Sequence, residues 1–506
     1  MYIKSKLEKV FLGHLFLFMF FFFQIHLHAT TYYVDSFNGS DSSSGNSISS
    51  PWKSIAKVNS FNFQPGDSIL FKCGSVWREE LIIPSGGSQD MYVTYSSYGS
   101  GNKPKILGSV NLTDWEEYAG NIWRTRFSQN GGWIWFVLDD TIQWGSKKEN
   151  LEQLNDKYDF TTDSAYVYVF SKDNPVNEYK SIEISVRDFG IISGWYGNAK
   201  QNVLVENFEI LFAKNAGIRV VGGENWAIKN CKSHHNGVTD ESDGQGIQYE
   251  GVNGLFTNNV LYENGQHGFY LSAFGNYEVS NNIIESNTVY DNYHTGIDIM
   301  NNGDSLRFLN NTIIRYNRIF DNIDFKGKEV GIQLYGFNGG KVKNARIYYN
   351  ILYNNRGIGI SIQDNCDSIF IYNNTVYQPE STCFTLENNS GYVELINNIG
   401  EGDKYYAVLF VHNPANKIID YNCWYRKSGN LIWMDGNYYE DLLLFSENTG
   451  FEKNGMNLNP MLNVLNFKLK INSPCIDKGK PLGLSRDYWG KEIINGKVDI
   501  GACECY

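Results

Sequence analysis

Cysteine is sparse in this chain, at 8 of 506 residues. The eight stand at positions 73, 231, 366, 383, 423, 475, 503 and 505, and none forms a CxxC pair. This spacing excludes a small disulfide scaffold and a zinc site built on paired cysteines. Whether some of them pair in an oxidising compartment stays open at this point.

The chain also lacks a surplus of positive charge. Lys and Arg number 43 against 55 Asp and Glu, which gives a formal charge of -12 and a pI near 5.3. An acidic surface does not attract nucleic acid or an anionic membrane. We therefore expect neither as a partner.

Only the first residues of the chain form a long apolar run. Three lysines precede an apolar stretch from 10 to 25, and Leu27-His28-Ala29 ends in a small residue. This order predicts a secretory signal peptide over residues 1–29, with an uncleaved N-terminal anchor as the alternative. We expect the mature protein to be secreted or periplasmic and to have no membrane segment.

Residues 246 to 363 carry one short pattern five times. Each copy is a glycine followed by alternating apolar and polar residues, which is the period of a half-buried strand. The copies begin at Gly246, Gly268, Gly296, Gly331 and Gly359. A second apolar strand lies in the Asn-rich stretches, with spacings of 29, 30, 33 and 24 residues from Val260 to Val289, Ile319, Leu352 and Val376. This period predicts a solenoid.

The segments on both sides of the repeat resemble one superfamily. Tyr32-Tyr33-Val34, Pro51-Trp52-Lys53-Ser54-Ile55, Pro65-Gly66-Asp67, Trp77-Arg78-Glu79 and residues 98–104 resemble the N-terminal capping region of secreted bacterial right-handed parallel β-helix proteins of the pectate-lyase-like superfamily. Ser473-Pro474-Cys475-Ile476-Asp477 and residues 498–502 resemble its C-terminal segment. Many members are polysaccharide lyases, glycoside hydrolases or uronan epimerases. The resemblance implies an all-β right-handed parallel β-helix that acts on a polysaccharide.

The repeat and the resemblance together divide the chain into four parts. They are the signal peptide (1–29), an N-terminal cap with the first elaborated coils (30–180), the parallel β-helix coils (181–420) and a C-terminal capping segment (421–506). A cap is expected because an open last coil exposes unpaired strand edges. We expect the protein to be a monomer.

Stacked coils place equivalent residues of successive coils about 4.8 Å apart, so the pattern predicts columns of side chains. One column is expected to point inward: Ile247, Phe269, Ile297, Ile332 and Ile360. Two columns are expected to point outward: Gln248, Tyr270, Asp298, Gln333 and Ser361, and then Glu250, Ser272, Met300, Tyr335 and Gln363. We expect the outward columns to form one exposed polar groove.

The groove contains the residues that a glycoside hydrolase needs. Such an enzyme uses one carboxyl group to protonate the leaving oxygen and a second to activate water or attack carbon. The candidate acids are Asp298, Glu250 and Asp243, and the candidate sugar contacts are Gln248, Gln333, Tyr335 and His294. Glu250 and Asp298 are two coils apart, roughly 10 Å, which favours an inverting arrangement.

His267 and Tyr270 favour a different reaction. A His/Tyr pair can supply the base and the acid for β-elimination of a uronate, in which a cation must also neutralise the substrate carboxylate. Lys326, Lys328 and Arg356 are the candidate cations. A polysaccharide lyase is therefore the alternative. A non-catalytic carbohydrate-binding or surface β-helix protein is a third hypothesis, because the sequence has no tight catalytic motif.

The loop before the first glycine copy is acidic. Asp240, Glu241 and Asp243 offer oxygen ligands that suit calcium, although EF-hand spacing is absent and a solvated acidic loop is the commoner explanation. No other metal site or cofactor is predicted. His234 and His235, which open this loop, are expected to be surface turn residues.

Overall fold

The computed structural model describes residues 29–195, 198–238, 244–273, 277–303, 308–322, 330–387, 391–402, 408–412, 415–493 and 496–505. Residues 1–28 of the expected signal peptide lie outside this range, as do Asp240, Glu241, Asp243, Lys326 and Lys328. Among the described residues, no helix has both the length and the apolar character needed to span a membrane.

The chain winds into a parallel β-helix whose successive coils contribute strands to three long sheets. Sheet 1 consists of Thr31–Val34, Ser68–Lys72, Val93–Tyr98, Val203–Glu206, Trp226–Lys229, Leu255–Thr257, Ile283–Glu285, Ile313–Arg315, Arg346–Tyr348, Ile369–Tyr372, Val393–Ile396 and Lys417–Asp420. Sheet 2 consists of Val76–Trp77, Lys105–Leu107, Glu209–Leu211, Lys232–His234, Val260–Tyr262, Thr288–Tyr290, Arg318–Phe320, Ile351–Tyr353, Thr375–Gln378, Ile399–Gly402 and Cys423–Arg426.

Sheet 3 carries the glycine pattern. Its main strands are Leu81–Ile82, Phe189–Ser193, Ala216–Glu224, Gln245–Val252, Phe269–Ala273, Thr295–Asn301, Val330–Gly336, Ile358–Gln363, Phe384–Leu386, Leu409–Val411, Ile432–Met434 and Asn437–Tyr439. A side branch adds Val279–Ser280, Phe308–Asn310, Lys341–Lys343 and Cys366–Asp367. We refer to each successive strand of a sheet as a rung.

Two small sheets and a few short helices complete the described structure. One sheet contains Ser109–Leu112, Ile134–Val137, Ile142–Trp144 and Ser181–Ser185. The other contains Glu116–Ala119, Ile122–Arg126, Ser146–Lys147, Asp159–Thr162 and Tyr166–Phe170. The α-helices are Ile55–Asn59, Pro175–Glu178 and Leu442–Thr449, and Leu151–Gln153 forms a 3₁₀ turn.

The strand register confirms the predicted columns, with one correction. Ile247, Phe269, Ile297, Ile332 and Ile360 pair in sequence along sheet 3, and each is at most 1% exposed. In sheet 2, however, Val289 lies opposite Leu261 rather than Val260. Leu261 is the buried member of this apolar pair. The spacing from Leu261 to Val289 is therefore 28 residues rather than 29. Val260 is apolar although it points outward, so the sequence pattern does not distinguish it from the inward-pointing Leu261.

A ladder of buried asparagines holds the corner between sheets 1 and 2. Its members are Asn259, Asn287, Asn317, Asn350, Asn374, Asn398 and Asn422. Each Nδ2 donates to Oδ1 of the next asparagine at 3.0 Å. The residue before each asparagine has a φ between +50° and +60°, which makes the turn. Oε1 of Glu452 accepts from the last amide at 2.7 Å and so ends the ladder with a satisfied donor.

Two further segments pack against the coils. In the small sheets, Trp135 packs against Phe212 of the β-helix, with ring centroids 4.9 Å apart. After the last coil, helix Leu442–Thr449 buries Phe445 in the core, and the chain then returns along sheet 2, where Phe467 stacks on Tyr353 at 4.7 Å. The C-terminal segment thus covers a side of the β-helix as well as its end.

All eight cysteines lie within the described residues as free thiols. In the same part of the chain, no group of three or more His, Cys, Asp or Glu is placed to hold a metal ion. The acidic loop proposed for calcium, residues 240–243, lies outside it.

Candidate active site

The outward face of sheet 3 contains a cleft of about 530 Å³. Its lining residues are His267, His294, Asp298, Met300, Val330, Gln333, Tyr335, Gly357, Ile358, Gln363 and Glu387. The structure therefore brings together five of the residues singled out in the sequence: Asp298, His267, His294, Gln333 and Tyr335.

Asp298 lies in strand Thr295–Asn301, at the outward position that the register predicts. The expectation that it is exposed is wrong, because only 4% of the residue is accessible. His267 covers it from the turn before the preceding rung, and its Nε2 lies 3.6 Å from Oδ2 of Asp298. Burial raises the pKa of Asp298 to about 7, since removing a carboxylate from water favours the neutral form.

His267 is buried between two other rings. It stacks on Tyr270, with centroids 4.9 Å apart, and meets the edge of His294 at 5.1 Å. Burial, and secondarily the charge on His294, hold the pKa of His267 well below its usual value, so the imidazole is neutral. Within the described residues, Nδ1 of His267 and Oδ1 of Asp298 have no hydrogen-bonding partner. Buried polar atoms of this kind normally bind water or a ligand.

Tyr270 and His294 are fixed by their neighbours. The hydroxyl of Tyr270 donates to Sδ of Met300 at 3.4 Å, and the residue is 6% exposed. Nδ1 of His294 lies 2.8 Å from Oγ1 of Thr295. His267 and Tyr270 are therefore adjacent, as the elimination hypothesis requires, but Tyr270 is buried beneath the cleft rather than exposed on its surface.

Glu387 is a cleft residue that the sequence analysis missed. Its backbone N–H donates to the carbonyl of Ile362 at 2.8 Å, which continues the register and places it beside Gln363. Burial raises the pKa of Glu387, the charge of Asp364 raises it further, and His412 opposes both. The strand Phe384–Leu386 has the alternating pattern, but Cys383 stands where the earlier copies have glycine, so a glycine-based search ends one rung too early.

The two cleft carboxyl groups are too far apart to act on one bond. Asp298 and Glu387 are separated by three rungs, roughly 14 Å along the stack, and Asp298 points toward His267 on the opposite side. The carboxyl groups of glycoside hydrolases lie about 5 to 9.5 Å apart. Asp364, by contrast, follows Gln363 on the rung next to Glu387 and contributes to its pKa.

The remaining candidates lie outside this cleft. Glu250 is opposite Val221 in strand Gln245–Val252 and is 3% exposed, so the expectation that it lies on an exposed face is wrong. Gln248 is half-buried opposite Tyr270. Neither lines the cleft, and Asp243 lies outside the described residues.

His234 and His235 are buried, which corrects the prediction of surface turn residues. Each is 2% exposed, and their Nδ1 atoms lie 2.8 Å apart. Nε2 of His234 lies 3.3 Å from Glu209, and Nε2 of His235 lies 2.6 Å from Glu263. Tyr262 stacks on His234 at 4.4 Å. Burial is the main cause that lowers the pKa of His234 to about 4.

Comparison with known proteins identifies the type of fold. A family model described as right handed beta helix region matches residues 183–318 and 303–399. The chain is 39% identical over 101 residues to a lacto-N-biosidase of Bifidobacterium longum, a match that spans 18% of this chain but only 6% of that protein.

Two solved structures are similar over nearly the whole chain. The complex of XylC with xylose has a TM-score of 0.58 at 15% identity and covers 94% of this chain and 98% of its own. The pectate lyase Pel9A has a TM-score of 0.50 at 16% identity and covers 94% and 96%. The chain is thus an all-β, right-handed parallel β-helix, as the sequence predicted.

Proposed function

We propose that this right-handed parallel β-helix is a glycoside hydrolase that binds a carbohydrate in the cleft of sheet 3. The observation that carries the proposal is Glu387, a carboxyl group in the lining of the cleft whose pKa is raised by burial and by the charge of nearby Asp364. A raised pKa allows a carboxyl group to hold a proton near neutral pH and donate it to a leaving oxygen. The 101-residue match to a lacto-N-biosidase supports a carbohydrate as substrate.

Glu387 is the proposed proton donor, and Asp364 is the proposed second carboxylate. They belong to adjacent rungs, which lie about 4.8 Å apart, and Asp364 comes one residue after Gln363, the residue opposite Glu387. Retaining hydrolases hold their carboxyl groups about 5 to 5.5 Å apart, with one as acid and the other as nucleophile. The charge of Asp364 also favours the protonated form of Glu387, which is the form that the acid needs.

Asp298 and His267 are proposed to hold a sugar rather than to break the bond. Protonated Asp298 offers a hydrogen to a sugar hydroxyl, and neutral His267 accepts one at Nδ1. Gln333 and Tyr335 lie on the next rung and are proposed as further sugar contacts. His294 supports His267 through the edge contact of the two rings.

The charge of the cleft favours a neutral glycan. None of the described residues that line it is Lys or Arg, and the whole chain carries a formal charge of -12. Among these described lining residues, a uronate carboxylate would therefore meet no cation to neutralise it, which is unfavourable both for binding and for elimination.

A polysaccharide lyase remains the second candidate, because one observation favours it. His267 is a neutral imidazole in the lining of the cleft, its buried Nδ1 has no hydrogen-bonding partner among the described residues, and Tyr270 stacks against it. A neutral imidazole can remove the proton α to a uronate carboxyl group. The lyase would need a cation from outside the described lining.

The test is an assay of the purified protein on neutral and uronate polysaccharides, following both new reducing ends and the ultraviolet absorbance of unsaturated uronates. Reducing ends without absorbance support hydrolysis, both signals together support the lyase, and neither signal supports a non-catalytic binding protein. Glu387→Gln is expected to lose about 10²- to 10⁴-fold in rate, whereas the exposed control Glu440→Gln should match the wild type. Full activity of Glu387→Gln would overturn its role.

A further inference from the structure

Two aromatic rings continue the column of Asp298 beyond the cleft. From Asp298 the register runs through Gln333, Ser361, Thr385, Phe410 and Trp433. Phe410 is the ladder partner of Thr385 on the following rung. Glu387 directly follows the strand that contains Thr385, so Phe410 lies one rung beyond Glu387. Both rings are half-buried.

The orientation of the rings follows from their stacking. Their centroids are 4.0 Å apart and their planes differ by 6°. Carbon atoms in contact are about 3.5 to 4 Å apart, so the rings overlap almost face to face. Because Phe410 and Trp433 are ladder partners, the line between the centroids runs along the β-helix axis. Each ring therefore stands across the outward face of sheet 3, and one face of Phe410 looks toward the cleft.

The residues in front of Phe410 are small. Ser361 and Thr385 occupy the column between Gln333 and Phe410, and both are buried. The interval from Gln333 to Phe410 is three rungs, roughly 14 Å. Between Gln333 and Phe410 this column therefore carries no side chain as large as the ring of Phe410, which stands upright at its end as an aromatic wall.

We infer that the Phe410–Trp433 stack closes the cleft and packs on the terminal sugar ring of the substrate, so that the protein cleaves glycans at a chain end. The inference rests on the proposed hydrolase function and adds where on the chain it acts. The face of an aromatic ring packs well on the apolar C–H face of a pyranose. A polymer that passed through the site would have to cross the wall, whereas a chain end stops at it.

The rim of the wall carries polar groups that suit sugar hydroxyls. His412 meets the edge of Trp433 at 4.5 Å. Its Nδ1 lies 3.9 Å from Oδ1 of Asp435, and both side chains are more than two-fifths exposed. An aromatic face beside a few placed polar groups is the usual composition of a small-ligand site.

The test uses neutral oligosaccharides of xylose, glucose and galactose units, two to six residues long, with one end labelled. The wild type is expected to release one product size from the first turnover. Phe410→Ala moves the wall back by one rung to Trp433, so its main product should become longer. Phe410→Trp should keep the single product, and the control Tyr118→Ala, an exposed ring of the small sheets, should change nothing. Internal fragments from the wild type would overturn the inference.

Calorimetric binding separates this inference from the proposed reaction. Loss of the ring face in Phe410→Ala should weaken oligosaccharide binding about three- to tenfold, and Phe410→Leu, which keeps an apolar side chain in the fold, should weaken it to a similar extent. If the wild type cleaves no glycan but this loss of affinity is seen, the hydrolase proposal fails and the sugar-binding wall stands. Unchanged affinity in both variants, or no binding by the wild type, overturns the wall.

Discussion

Nε2 of His267 lies 3.6 Å from Oδ2 of Asp298, across the gap between two rungs of sheet 3. This distance is longer than a hydrogen bond, and burial favours the uncharged form of both groups. At a pH above the lowered pKa of His267 and below about 7, the pair therefore consists of a carboxylic acid and a neutral imidazole. The cleft then presents a hydrogen donor and a hydrogen acceptor side by side.

Substitution of Asp298 distinguishes sugar binding from proton transfer. If Asp298 donates a hydrogen bond to the sugar, Asp298→Asn keeps a donor and should retain most of the activity. Asp298→Ala should then lose about tenfold in kcat/KM, which corresponds to one hydrogen bond. The measurement is kcat/KM between pH 5 and 9 for the three proteins. A loss of about 10³-fold or more in Asp298→Asn would instead assign proton transfer to Asp298.

The pH dependence of stability provides a test that needs no substrate. The folded pKa of Asp298 is about 7, above the value of 3.8 for an unburied group. Between these two values the folded state binds more protons than the unfolded state, so the free energy of unfolding falls as the pH rises. Asp298→Asn removes this contribution to the pH dependence of the free energy of unfolding, because an amide does not titrate. Its stability relative to the wild type should increase from pH 5 to pH 8 by on the order of 2 kcal/mol, measured by denaturant unfolding. An equal difference at both values would contradict the raised pKa.

The sequence could predict the coils because their pattern is local. A glycine followed by strict alternation determines which side chains point inward, and Ile297 and its ladder partners are buried as expected. Burial on the outward face depends instead on segments far apart in the chain. His267 covers Asp298 from another rung, and Trp144 of the small sheets stacks on His235. The glycine pattern does not predict the rung of Glu387, because Cys383 stands at the position where the other copies have glycine.

The asparagine ladder is expected to be a main source of stability in the coils. Oδ1 of Asn317 accepts from both the backbone N–H and the side-chain Nδ2 of Asn287, each at 3.0 Å. Asn317→Ala leaves the buried backbone N–H of Asn287 without a partner and leaves its Nδ2 with the carbonyl of Phe256 alone, at a cost of about 2 to 4 kcal/mol. The measurement is the midpoint of denaturant unfolding.

Asn281 is the matched control for this ladder. It belongs to an exposed row, and its Nδ2 donates to Asn253 at 3.2 Å. Its Oδ1 also accepts from Nδ2 of Asn311 at 2.7 Å. Its φ of +58° suits glycine, so Asn281→Gly removes both exposed hydrogen bonds without adding backbone strain. The expected change is below about 0.5 kcal/mol. Equal destabilisation by the two variants would show that burial of the ladder is not what makes it stabilising.

Trp144 connects the small sheets to the cleft, and its removal should affect two properties together. Its ring lies parallel to His235 at 5.9 Å and meets Tyr293 at 5.4 Å. Tyr293 immediately precedes His294, which lines the cleft. Trp144→Ala should therefore admit water to the histidine pair and loosen the turn that carries His294.

Water near the pair weakens the main cause of the low pKa of His234, so that pKa should rise from about 4 toward the ordinary value near 6.5. Proton NMR of the histidine rings between pH 3 and 8 measures this shift, and a fall of several-fold in kcat/KM should accompany it. Tyr118→Ala, in the same small sheets but without contact to the histidines, should leave both unchanged. A variant that loses activity while His234 still titrates near 4 would separate the two effects. It would show that sheet 2, rather than Trp144, excludes water from the pair.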